Sequence, residues 1–256
     1  MKIGIVGSIH QKGMKILQNE KFDIVEVNNT ETSNLQIELQ NVDGIVLRTA
    51  HLSNDVLKNC PNLRIISRHG VGYDNVDINF LNQRKIALAV TGTANAVSVA
   101  EHVMAFFLHL SKIINLSDEL TRKGQFIEKG RLPDFYELYQ KNVLIFGFGR
   151  IGQAVAKRCQ GFEMNVFVFD PFVEEKFIES MGCKQITKEE GLKISDYISM
   201  HLPLNEKTKD FISFKEFQTM KSNCILVNTA RGGVVNEQSL YEALITKQIA
   251  GAGLDV

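Results

Sequence analysis

The sequence predicts an α/β protein built on parallel sheets, and three observations carry that reading. Short β-rich apolar runs alternate with helical stretches along most of the chain. One of those runs leads straight into a glycine-rich turn and then a helix. The composition is that of an ordinary globular chain, 44% hydrophobic and 23% charged over 256 residues, which is enough for a sizeable core.

The elements follow in order. Strands are expected at Lys2–Val6, Phe22–Val27, Gly44–Leu47, Arg64–Ser67 and Ile86–Val90. Helical or turn segments fall between them near Lys12–Asn19, Thr32–Leu39 and Ser53–Asn59, with Ser53 as N-cap and Pro61 as the stop. A long helix is expected from Ala96 to about Leu116. Its apolar stripe (Val99, Val103, Phe106, Phe107, Leu110, Ile113 and Ile114) reads as core or interdomain packing. Thr121–Gln140 contains Gly124, Gly130 and Pro133 and reads as a connecting loop. A second alternating series follows. Its strands are expected at Asn142–Phe146, Asn165–Phe169, Tyr197–Met200, Cys224–Asn228 and Ile249–Leu254. Its helices are expected at Arg150–Cys159, Val173–Met181, Ser213–Met220 and Asn236–Thr246. Two α/β units dividing near residue 95 are therefore expected, 1–95 and 96–256.

Charge and cysteine content narrow the function. Lys plus Arg is 29 and Asp plus Glu is 29, and this zero balance argues against a basic nucleic-acid platform or a polybasic membrane anchor. No apolar run approaches the roughly 18 residues needed to span a bilayer. Met1–Gly7 reads as a strand, and its apolar run meets His10 and Lys12 too soon for a signal peptide. Cys60, Cys159, Cys183 and Cys224 lie far apart without Cys-x-x-Cys spacing. They read as buried free thiols in a reducing compartment, with the cytoplasm as the default. No metal site is expected.

The sharpest local signal is Lys141–Gly152, in which an apolar strand runs into Gly147-Phe-Gly149-Arg150-Ile151-Gly152 and then a helix. Gly147 permits the tight turn, Gly149 lets backbone approach a pyrophosphate, and Gly152 lets helix and strand pack closely. The helix N-terminus offers N–H groups to the anion. The next strand ends in Asp170, 18 residues beyond Gly152, close to the roughly 20 expected for a carboxylate that takes ribose hydroxyls. No Arg or Lys follows before Lys176, which favours NAD over NADP.

With these residues in view, the sequence resembles the D-isomer-specific 2-hydroxyacid dehydrogenases. The motifs stand in that family's order over nearly the whole chain: Arg68–Asp77, Ala94–His102, Gly147–Gly152, His201–Leu204, Val227–Val235 and Ala250–Val256. The wording at Arg48-Thr49-Ala50 and Gly70–Asp77 is most similar to the phosphoglycerate dehydrogenase branch. The resemblance implies a flavodoxin-like substrate domain and a Rossmann-type NAD-binding domain. It also implies a homodimer, with an interface built by the Ala96–Leu116 helix and its neighbours. Residue by residue, Arg150 and Ile151 would meet the pyrophosphate, Asp170 the adenosine ribose, and Leu202 and Pro203 the adenine. Thr229, Ala230 and Asp255 would lie on the nicotinamide side, with Asp255 positioning the carboxamide. Gly70, Val71 and Gly72 would hold the substrate carboxylate through backbone N–H groups, with Val71 also near the cofactor. Arg48 and Asn95 would touch substrate. Arg231 matches the catalytic arginine, whose planar charged fork suits it to bind a 2-oxo acid's carboxylate and polarise its carbonyl.

The resemblance also implies a histidine that takes the hydroxyl proton and a glutamate that raises its pKa, both placed after the Gly-Leu-Asp-Val strand. Val256 falls inside that strand, which reads as a buried parallel strand, so the expectation is an incomplete record or a truncated gene product. His10, His51 and His109 have no motif context, and His102 reads as a packing or hydrogen-bonding residue of its helix. His69 lies beside the carboxylate loop and His201 at a strand end near the adenine side. Smaller departures are the lack of Pro in Val90–Ala94 and the absence of Trp. The function expected is an NAD-dependent oxidoreductase acting on a small D-2-hydroxy acid of the 3-phosphoglycerate, hydroxypyruvate or glyoxylate type. The rival readings are an NAD-binding interaction protein without turnover and a fragment lacking the catalytic Glu and His.

Overall fold

The computed structural model describes residues 1–92 and 94–256, apart from the side chains of Phe126, Lys129 and Arg131; Thr93 lies outside the described residues. The chain divides into two compact units, Met1–Asn95 and Ala96–Val256.

The first unit runs β1 (Lys2–Val6), α1 (Gln11–Asn19), β2 (Asp23–Val27), α2 (Thr32–Glu38), β3 (Gly44–Leu47), α3 (Asn54–Lys58), β4 (Ile65–Arg68), α4 (Ile78–Gln83) and β5 (Ala87–Val90). Its strands pair in parallel in the order β2-β1-β3-β4-β5, the flavodoxin-like order. Leu35, Leu39, Ile45, Leu47, Leu57, Ile66 and Leu81 fill the space between helices and sheet. Each such side chain contributes about 1.5–3 kcal/mol by leaving water. Ser53 caps α3, its hydroxyl accepting the Val56 N–H at 3.4 Å. The sequence reading did not anticipate α4, which Asp77 caps by accepting the Phe80 N–H at 3.1 Å.

The second unit opens with α5 (Ala96–Lys112) and α6 (Ile114–Arg122), followed by a short 3-10 turn at Phe126–Arg131. Then come β6 (Asn142–Phe146), α7 (Arg150–Gly161), β7 (Asn165–Phe169), α8 (Glu175–Ser180), β8 (Lys184–Gln185) and α9 (Lys188–Ile194). The unit ends with β9 (Tyr197–Met200), α10 (Phe214–Thr219), β10 (Ile225–Asn228), α11 (Glu237–Ile245) and β11 (Gly251–Leu254). All strands are parallel in the order β11-β10-β9-β6-β7-β8, so the order reverses beside β6, as in doubly wound dinucleotide-binding sheets. Alternation along β6 sends Val143 and Ile145 into a core shared with Phe107, Val155 and Cys159. Leu144 and Phe146 enter the opposite core with Ile198, Met200, Phe217 and Leu226.

Two expectations are corrected. The helix expected to run unbroken to about Leu116 breaks at Ile113, which adopts a left-handed conformation (φ 47°, ψ 47°), and α6 leaves at 60°. The Ser111 carbonyl is the reason. A continuing helix would give it to Asn115, but it accepts the Tyr136 N–H at 3.0 Å, while the Ser111 and Tyr197 hydroxyls share a hydrogen bond at 2.7 Å. The Thr121–Gln140 stretch correspondingly holds the end of α6 and the 3-10 turn, and is not wholly a loop. Among the described residues β11 is the outermost strand of the sheet, with Gly253 buried and Leu254 45% exposed.

Candidate functional site

The C-terminal edge of the second sheet gathers the glycine turn, a strand-end carboxylate and a tightly held arginine loop. Gly147 takes φ +90°, and a Cβ there would lie 2.7 Å from the His201 carbonyl oxygen, so the turn after β6 runs directly against the end of β9. A Cβ on Gly152 would fall on the Gly147 carbonyl oxygen. Gly149 differs: none of the described residues lies within 4 Å of where its Cβ would stand. It is the N-cap of α7 and, as glycine, supplies no side-chain cap of its own to that helix. Arg150 and Ile151 form the helix's first turn, with Arg150 exposed.

Asp170 follows β7. Its Oδ2 accepts the Phe148 N–H at 2.8 Å and its Oδ1 accepts the Phe172 N–H at 2.9 Å. The ring of Phe172 is 91% exposed. On its other side Asp170 borders an open cleft of about 380 Å³ that Glu175, Gln185 and Glu190 also line.

After β9, the half-buried His201 ring places Nε2 2.8 Å from the Ser199 hydroxyl, and its main-chain N–H donates to Phe146 O at 2.8 Å. Burial pushes the imidazole pKa down to about 3, so the ring is neutral at any ordinary pH. Leu202 packs against the Phe146 core and Pro203 is exposed, its carbonyl accepting the Thr208 hydroxyl at 2.5 Å.

The end of β10 turns on Asn228, 1% exposed. Its Oδ1 accepts the Ala230 N–H at 3.0 Å and its Nδ2 donates to the Arg231 carbonyl at 2.8 Å, closing the Asn-Thr-Ala-Arg turn on itself. The Arg231 guanidinium donates to the Ala230 carbonyl at 2.6 Å. The Thr229 hydroxyl oxygen is buried and has no hydrogen-bond partner among the described residues. Asp255, just beyond β11, donates its N–H to the Asn228 carbonyl at 3.1 Å, and His102 Nε2 lies 3.7 Å from its Oδ1.

Gly147, Gly149, Arg150, Ile151, Gly152, Asp170, Leu202, Pro203, Thr229, Ala230, Arg231 and Asp255 thus lie along one edge of one sheet. Asn228 was missed by the sequence reading. A polar residue closing a run of apolar strand residues was the available signal. The remaining expected residues lie in the first unit. Arg48 follows β3 and donates to the Ser8 carbonyl and hydroxyl at 3.2 and 3.1 Å. Gly70, Val71 and Gly72 follow the adjacent β4. A Cβ on Gly70 would collide with the Arg68 guanidinium, and the Gly70 carbonyl accepts the Thr91 N–H at 3.1 Å. Asn95 closes that unit.

The residues present fit a dinucleotide: open space at Gly149, a helix start to which that glycine gives no side-chain cap, a braced strand-end carboxylate and, at Thr229, a buried hydroxyl lacking a partner among the described residues. Comparison with known proteins agrees. Residues 104–256 match the family described as D-isomer specific 2-hydroxyacid dehydrogenase, NAD binding domain. A glyoxylate reductase of Thermococcus litoralis is 37% identical over 100% of this chain and 80% of its own length. A D-3-phosphoglycerate dehydrogenase of Archaeoglobus fulgidus is 34% identical over 100% of this chain and 48% of its own length. A D-lactate dehydrogenase of Aquifex aeolicus, solved with NAD and lactic acid, superposes with a TM-score of 0.88 at 28% identity, covering 99% of this chain and 76% of that one. The chain therefore belongs to the D-isomer specific 2-hydroxyacid dehydrogenase family, and its cofactor is NAD. It spans about half the length of the phosphoglycerate dehydrogenases it matches.

Proposed function

We propose that the protein is an NAD-dependent oxidoreductase acting on the CH–OH group of a small D-2-hydroxy acid of the 3-phosphoglycerate, hydroxypyruvate or glyoxylate type. The observation that carries this is the shared sheet edge, where the Gly147–Gly152 turn and Asp170 stand with the Asn228-closed turn presenting Arg231. Asp170 accepts from the adenosine ribose. Main-chain N–H groups at the start of α7, with Arg150 and Ile151, take the pyrophosphate. Leu202 and Pro203 wall the adenine; Thr229, Ala230 and Asp255 hold the nicotinamide side. NAD, when bound, supplies the hydride acceptor. Arg231 binds the substrate carboxylate and polarises its carbonyl. Residues 1–95 form the substrate domain, in which Gly70, Val71 and Gly72 hold the carboxylate and Arg48 and Asn95 add contacts.

The same reading gives a homodimer, supported by the exposed apolar side chains Val97, Ile114 and Leu116 along α5 and α6. It gives a reducing, cytoplasmic setting, supported by four buried free thiols; burial raises the pKa of Cys60 and Cys183 to about 11 and of Cys159 to about 12. Titrating the protein with NAD and NADP by calorimetry, then adding 2-oxo acids with NADH, tests the proposal. Saturable NAD binding at least tenfold tighter than NADP, with a 2-oxo acid tightening NADH binding, is the expected result. Failure to bind either dinucleotide overturns it.

A further inference from the structure

We propose that His102 is a positioning residue that holds the Asp255 carboxylate in its working orientation on the nicotinamide side. The inference rests on the reading that Asp255 contacts the nicotinamide carboxamide.

It begins with a missing side chain. A Cβ on Gly253 would stand 2.7 Å from the Phe106 ring, so glycine at this point of β11 is what lets α5 lie flat across the strand. His102 sits one helical turn before Phe106 and meets that ring edge-on, with centroids 4.5 Å apart at 63°. The imidazole is therefore backed by an aromatic wall, and its Nε2 stands 3.7 Å from Asp255 Oδ1. Nearby charge does not draw His102 away, because the neighbouring Glu101 is engaged by Arg158 at 3.2 Å. Among the described residues, His102 is the one basic side chain within ion-pair distance of Asp255.

Asp255 needs such a partner. Its backbone is fixed by the hydrogen bond to Asn228, but its side chain is 58% exposed. A carboxylate is acceptor-only, and an exposed one at a strand end samples several rotamers. At 3.7 Å the imidazole is beyond hydrogen-bond reach of Oδ1 but within ion-pair range when protonated, and that attraction favours one rotamer and leaves Oδ2 to accept an amide N–H. His102 would thus act on the cofactor through Asp255 and make no contact of its own.

The test compares NAD with ADP-ribose, which carries every part of NAD except the nicotinamide. Calorimetry on the full chain and on His102→Ala is expected to show NAD binding weakened about threefold, the scale of a half-exposed ion pair, with ADP-ribose binding unchanged. His102→Lys, which keeps a cationic group, should recover most of the loss. It also serves as the second variant if His102→Ala fails to fold. In an Asp255→Asn background His102→Ala should add no further loss. Equal weakening of both ligands, an unchanged NAD to ADP-ribose ratio, or full additivity in the double variant would each overturn the proposal. If the unaltered chain binds neither ligand, the dinucleotide reading itself fails and this proposal goes with it.

Discussion

The main-chain N–H of Phe148 donates to Oδ2 of Asp170 at 2.8 Å, which ties the interior of the glycine turn to the carboxylate at the end of the next strand. The glycine turn and the strand-end carboxylate, the two halves of the proposed adenosine site, are thus one hydrogen-bonded structure. Asp170→Ala should remove the ribose acceptor and release Phe148 and Phe172 together. We expect NAD affinity to fall about tenfold to a hundredfold, the range for a hydrogen bond to a charged group. Asp170→Asn, which can still accept from Phe148, should lose less. Unchanged affinity in Asp170→Ala, measured by calorimetry, would show that the carboxylate serves the turn alone.

Two glycines of the same turn separate folding from binding. Gly152→Ala drives a methyl into the Gly147 carbonyl, so a lowered melting temperature is expected even without ligand. Gly149→Ala meets none of the described residues within 4 Å and should fold with a stability change within about 1 kcal/mol, yet bind NAD at least tenfold more weakly. Thermal melts with and without dinucleotide read both effects. A Gly149→Ala variant with full affinity would place the pyrophosphate elsewhere.

The neutral, half-buried His201 makes stability depend on pH. Its folded-state pKa lies near 3, below the unfolded value of about 6.5. The unfolded chain therefore binds the extra proton first as pH falls, and the contribution present above pH 6.5 is lost below it. At pH 5.5 the loss is on the order of 1 kcal/mol relative to neutral pH. Denaturant melts at the two pH values should show this loss, and His201→Gln should remove it. Equal pH dependence in the two proteins would mean that the ring takes up a proton in the folded state.

Asn228 holds the turn that presents Arg231 from within the core. Asn228→Ala leaves the Ala230 N–H and the Arg231 carbonyl without their buried partner and should cost about 2–3 kcal/mol. Asn228→Asp keeps the acceptor but not the donor, so an intermediate loss is expected in the same denaturant titration. An unaffected Asn228→Ala variant would mean that neighbouring backbone alone sets the turn.

Much of this was legible in the sequence because it depends on local chemistry. Strand alternation, the Gly147–Gly152 turn and Asp170 are signalled by residues close together in the chain. Some unread elements carried signals too. Asp77 stands before Ile78 as an N-cap, and Thr187 with Glu190 three residues on announces α9; the Thr187 hydroxyl accepts the Glu190 N–H at 3.3 Å. The break at Ile113 had no local signal, because it is imposed by Tyr136, a residue of a distant loop that claims the Ser111 carbonyl. Strand order is likewise invisible locally: nothing in β6 or β9 announces that these two strands, far apart in the chain, lie side by side. The His102–Asp255 pair joins residues 153 positions apart, and only the packing of Phe106 on Gly253 brings them together.

Helix α7 begins at Gly149 without a side-chain cap. A pyrophosphate held at this helix start, as proposed, would tie the stability of the fold to the supply of dinucleotide. A ligand bound only by the folded chain adds about 2.7 kcal/mol at a hundred times its dissociation constant. A cell rich in dinucleotide would hold this fold well clear of unfolding, and a depleted one would leave it more open to proteolysis. Survival of the protein would then track the supply of the molecule that it uses.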